Sequence, residues 1–162
     1  MPDKQTPEET AIWQKRLASQ ANNRAWALAD ATVRTEEDDE EMLQASHAAM
    51  YLWNIAGNEG NKAHAAQLLA HVCALLKLPD PAKHYLRKSQ PYFLDRECEI
   101  WELAFAHAVA ANVSAAAGES EGHLTHYREA QRLVAALPDR EDQDILAKTM
   151  SIIPKPTQNS AA

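Results

Sequence analysis

Glycine is scarce in this chain of 162 residues, at four positions, and cysteine and phenylalanine are scarcer still, at two each. Four glycines cannot build a phosphate-cradling loop, a dinucleotide-binding turn or a nucleophile elbow, and no GxSxG occurs. Cys73 and Cys98 stand too far apart and too few in number for a disulfide framework or a zinc pattern. No run approaches the ~20 apolar residues needed to cross a bilayer. The N-terminal MPDKQTPEET has no apolar core of the kind a signal peptide carries. A basic face able to neutralise phosphates is missing too, which argues against nucleic acid as a partner. Together these absences predict a cytoplasmic protein with no cofactor, no membrane contact and no enzyme chemistry.

Alanine is abundant, and it is the residue that loses least on entering a helix. The net charge of −7 is local: Glu36, Glu37, Asp38, Asp39, Glu40 and Glu41 supply six of the negative charges. That run follows Thr35 and faces the positive end of a helix dipole, so it serves a helix start. Thr6-Pro7-Glu8-Glu9 marks another start, with a threonine cap, proline at the first helical position and a glutamate to close a capping box. The first helix is continuous or is broken at Asn22-Asn23. A second reaches about Ala56 and is ended by Gly57 and Gly60; a third covers about 61–77. Asp80-Pro81 opens a fourth, a fifth runs over about 97–117, a sixth over about 120–136, and Pro138-Asp139 opens a short seventh. Nothing alternates with period two, so no sheet is expected. Residues 1–6 and the tail from Pro154, PKPTQNSAA, are predicted to be disordered, leaving 7–153 as one helical domain.

The chain also repeats itself. Ala70, Ala82, Leu86 and Ser89 recur 41 residues later as Ala111, His123, Tyr127 and Ala130. A small residue, then a small-bulky-small set on the next helix, is the spacing that lets two helices cross closely. This order resembles the tetratricopeptide repeat, in degenerate copies near 63–96 and 104–137, with Lys77 where that repeat favours glycine. The succession ANNRAW, HAAMYLW, NKAHAAQLLAHV, WELAFAHA and HYREA is similar to a widespread bacterial family of small tetratricopeptide-like proteins. The resemblance implies an all-α stack of antiparallel helix pairs, six or seven helices in all. It brings no activity and no catalytic residues.

Seven histidines remain to be explained. His47, Tyr51 and Asn54 follow one face of the second helix beside its core stripe; His64, Gln67 and His71 do the same on the third. His64 and His71 are two turns, ~10.5 Å, apart along the axis, too far to share an ion that needs each nitrogen at ~2.0–2.1 Å. His123 and His126 have chelating spacing, but the repeat register points them apart, and neither an HExxH nor a second Glu-x-x-His helix is present. Cys98 lies near a helix start, yet Glu97 and Glu99 oppose any lowering of its thiol pKa.

The expected function is therefore a protein-interaction or scaffolding module whose partner is an unspecified protein or peptide. Its expected groove is walled by His47, Tyr51, Asn54, His64, Gln67, His71 and His107, all placed on first-type helices. Three alternatives stay open: metal or small-ligand binding through His123 and His126 or through His47, His64 and His71, self-association as a homodimer, and a groove filled by the N-terminal helix with Trp13 and Trp26.

Overall fold

The first three helix starts in this chain are fixed by short oxygen-bearing side chains, each with a reciprocal hydrogen-bond pattern. A computed structural model describes residues 6–157. Thr6 Oγ1 accepts from Glu9 N while the Glu9 carboxylate accepts from Thr6 N, opening α1 (Pro7–Ala29). Thr35 and Asp38 repeat the arrangement at α2 (Glu36–Ala56), and Asn58 and Asn61 at α3 (Glu59–Leu75). Each box satisfies two backbone N–H groups that have no partner inside the helix. Then come α4 (Pro79–Leu94), α5 (Ile100–Ala116), α6 (Ser120–Ala136) and α7 (Arg140–Ile152), the last capped by Asp139. Among the described residues there is no strand.

Of the two alternatives for the first helix the continuous one is found: α1 runs unbroken through Asn22-Asn23. Two boundaries differ from expectation. Gly60 lies inside α3, because Asn58 caps that helix directly after Gly57. Asp80 sits in the first turn of α4 rather than at its cap; Pro79 opens the helix, where a missing N–H costs nothing.

The repeat is visible in the helix ends. At the close of α3, Lys77 has φ 58°, Lys77 N donates to Ala74 O, and Leu78 N donates to Cys73 O. At the close of α5, Gly118 has φ 72°, Gly118 N donates to Ala115 O, and Glu119 N donates to Ser114 O. Every residue in the second set is 41 beyond its counterpart, and both turns satisfy the last carbonyls through a left-handed residue.

The helices pack as the antiparallel pairs α1/α2, α3/α4 and α5/α6, followed by α7. Within the stack α1, α3, α5 and α7 form one row, each against the next, while α2 and α4 fill the angles on the other side. Small residues bring the axes together: Ala70, Ala82 and Cys73 meet Leu69, Val109 and Val113 in one cluster, and Ala108, Ala111 and Ala130 surround Tyr127 in another. The two ends of the row are tied by one side-chain bond, in which Thr149 of α7 donates to Asp30 at the end of α1, at 3.2 Å.

The segment after α7 is not loose at its start. His123 Nε2 donates to Pro154 O at 2.7 Å, and Ile153 is buried. Of the tail from Pro154 that was expected to be disordered, 154–157 are described and 158–162 lie outside the described residues. At the other end, Thr6 belongs to the α1 cap, and 1–5 likewise lie outside. No helix of the described residues is long and apolar enough to cross a membrane.

Candidate functional site

The seven residues expected to wall one groove go to four different places. The helix α2 is the second member of its pair; it packs on α1 and α3, and the face that carries His47 looks past them toward side chains of α4. His47 meets Tyr85 of α4 edge-on, with ring centroids 6.1 Å apart. Asn54 borders a shallow hollow among α2, α3 and α4, in which Lys62, Lys88 and Arg96 outnumber Glu59. Tyr51 is left 67% exposed.

His64 stacks on Trp101 of α5, its planes 10° apart, and its Nε2 donates to Glu102 Oε1 at 2.9 Å. The carboxylate fixes the tautomer and the indole fixes the ring plane, so this imidazole is held rigidly between α3 and α5.

Gln67 and His71 are buried, which corrects their placement on a groove wall. Trp26 of α1 covers His71, ring on ring at 5.5 Å, and meets Phe105 edge-on at the same distance. The inner face near these residues is filled by α1 itself. Trp13 takes no part in this and remains half exposed, with Arg16 over its ring. Asn112 Nδ2 donates to His71 Nδ1 at 3.1 Å, which puts the imidazole proton on Nε2, where it has no partner. Burial first, and Arg34 second, push the His71 pKa down to about 4. Residues 71 and 112 are repeat equivalents, 41 apart, so this bond joins matching points of adjacent helix pairs.

His123 and His126 do not form a pair. His123 holds Pro154, while His126 turns to His107 of α5, Nδ1 to Nδ1 at 2.9 Å. Among the described residues no three His, Cys, Asp or Glu side chains are grouped so as to hold a metal ion. Both thiols are pushed to higher pKa: Cys73 by burial, to about 11, and Cys98 by burial and then Glu102, with Glu99 adding to it.

Sequence reasoning also missed a cleft of about 580 Å³ where the inner row ends. Ala31 follows α1, Lys77 follows α3, Asn112 and Ala116 come from α5, and Ser151 comes from α7. Arg34 completes the wall, held by Asp39 through its Nε. Lys77 has no ion-pair partner among the described residues. The sequence did carry a mark of this site, namely lysine in place of glycine at 77. Its meaning depends on four chain segments meeting, which no local pattern shows. In comparison with known proteins, no family model, no curated protein and no solved structure matches the chain.

Proposed function

We propose that the chain is a non-catalytic, tetratricopeptide-like binding module of the cytoplasm that captures an anionic segment of a partner protein in the cleft beside Lys77. Lys77 itself carries the reading. A side chain other than glycine in the left-handed region costs roughly 1–2 kcal/mol, and the equivalent turn uses Gly118. Strain retained at a cleft mouth, on a charged residue, points to use rather than to folding. Four helices of the inner row also end here, so their negative dipole poles gather at the cleft. Arg34 and Lys77 offset that field and let an acidic side chain approach. Asn112 and Ser151 add polar contacts, and the methyl groups of Ala31, Ala74 and Ala116 leave room for a peptide backbone.

Synthetic peptides graded from basic to acidic, followed by fluorescence anisotropy at low and high salt, test this. The acidic peptides are expected to bind and to weaken with salt. Lys77→Gly and Arg34→Gln should each reduce affinity by about tenfold or more. Equal binding by Lys77→Gly, or a preference for basic peptides, rejects the cleft.

A second reading, self-association, is favoured by the first turns of α1. Ile12, Trp13 and Leu17 are each about half exposed there. Sedimentation across a wide concentration range decides it: a constant monomeric mass removes the homodimer.

A further inference from the structure

His107 and His126 project from the two helices of the last antiparallel pair and meet with their Nδ1 atoms 2.9 Å apart. Their ring centroids are 5.1 Å apart and their planes differ by 38°. Two imidazole nitrogens this close share a single proton: one carries N–H, the other a lone pair. Moving that proton to the far nitrogen of the same ring leaves two lone pairs side by side, with no change in net charge.

The rest of the stack shows that folding does not require imidazoles here. In the preceding repeat the equivalents of 107 and 126, 41 residues earlier, are Ala66 and Tyr85. Those are an ordinary small residue and an ordinary aromatic, and Ala66 is buried. The histidine pair is therefore an addition at one helix junction. It is also a costly one, because both rings are half-buried and burial pushes both toward the neutral form, with His126 adding to the effect on His107. A neutral imidazole is the form that ligates metal.

The spacing suits a cation. An ion with nitrogens at ~2.0–2.1 Å and a ligand angle between about 90° and 109° holds them about 2.9–3.4 Å apart. The pair already lies at the lower limit, and a few tenths of an ångström reach the upper. The rings border an open hollow together with Leu124, Thr125 and Arg128, so a hydrated ion has access. Glu129, one turn beyond His126, supplies negative charge that acts on His107, and it holds Arg132 in a two-pronged ion pair that limits the opposing positive charge.

We propose that His107 and His126 form a two-histidine site for a divalent transition-metal ion of the borderline class, bound through the two Nδ1 atoms, with solvent completing the coordination. This site is separate from the cleft and does not rest on the anionic-segment reading. The ion would replace the shared proton and pin α5 to α6. Imidazole donors in such a site favour Cu²⁺ over Ni²⁺ and Zn²⁺.

The test uses the full chain without an affinity tag, stripped of metal and titrated calorimetrically with Cu²⁺, Ni²⁺ and Zn²⁺. One equivalent is expected, tightest for Cu²⁺, with a raised melting temperature in the presence of metal. His107→Gln and His126→Gln should each weaken binding by more than about tenfold, while His84→Gln, at an exposed position on α4, leaves it unchanged. Affinity unaltered in both pair variants overturns the site. If either variant fails to fold, imidazole NMR of the wild type with Zn²⁺ decides. Perturbation centred on His107 and His126 supports the site, and perturbation centred on His47 or His84 overturns it.

Discussion

Burying an imidazole with one nitrogen unpartnered costs free energy at any pH, and costs more once the ring must take up a proton. His71 is in that position, with its native pKa pushed to about 4 from an ordinary value of 6.5. Because the folded value lies below the unfolded one, the unfolded chain binds the proton first. The contribution to stability is complete above about pH 6.5 and is lost as pH falls toward 4, a gap equivalent to roughly 3 kcal/mol. His107 and His126 shift in the same direction and steepen the same limb. Replacing His71 by glutamine should cost about 1–3 kcal/mol at pH 7, through lost packing under Trp26. The further loss between pH 6.5 and 4 should then be smaller than in the wild type. Urea midpoints at pH 7, 5.5 and 4.5 check this, and parallel pH profiles for the two proteins would refute it. Lys77 makes the opposite case, where a substitution should help the fold. A cation at a helix C-terminus gains about 0.3–1 kcal/mol from the dipole, less than the roughly 1–2 kcal/mol of left-handed strain. Lys77→Gly is therefore expected to raise stability by up to about 1 kcal/mol while it weakens capture of acidic peptides. A melting temperature below the wild type's would show that Lys77 serves the helix end instead.

Helices here are joined tightly, and the joints are the sensitive points. Gly57 ends α2 and Asn58 already caps α3, so two residues make the corner. A Cβ at 57 would stand 2.6 Å from Trp53 O and 2.8 Å from Asn61 Cβ. The first of these atoms is the carbonyl that accepts from Gly57 N, at 2.8 Å, and it cannot retreat without losing that bond. Gly57→Ala should cost about 1–3 kcal/mol by overpacking. At Gly118 there is open space but φ is 72°, so Gly118→Ala should cost about 1 kcal/mol through backbone strain alone. Chemical denaturation of the two variants checks both, and a cost at 57 no greater than at 118 counts against the packing argument. Element boundaries of this kind were legible beforehand, because caps, prolines and glycines act within four residues. Thr6, Thr35 and Asp139 each announce the helix that follows. The side of the stack to which a helix belongs was not legible in the same way. Periodicity puts His47, Tyr51 and Asn54 on one face of α2, but cannot say whether that face meets the inner row or α4. The same limit explains His71, since a polar residue beside a core stripe stays exposed only if no other helix brings a Trp26 to cover it.

The link between the two ends of the row is a property of no single element. It rests on Thr149 of α7 reaching Asp30, 119 residues earlier in the chain. No local pattern encodes such a contact, which is why the cleft formed by the row's ends escaped the sequence reading even though the helices themselves did not. The link should matter to the C-terminal helix more than to the core. Thr149 is buried, and Asp30 is a half-buried carboxyl whose pKa burial raises and the threonine bond lowers. Thr149→Val keeps the volume but removes the hydroxyl that answers Asp30, and should cost about 1–2 kcal/mol. The loss should also be uneven, since α7 packs on the end of the stack while α3 and α5 are enclosed by neighbours. Amide hydrogen exchange in Thr149→Val is expected to speed up first in α7 and the last turn of α1, with α3 and the core of α5 still protected to the level of global unfolding. Uniform acceleration across all seven helices would instead mean that the row opens as one unit, and that the cleft at its end exists only while the two ends remain joined.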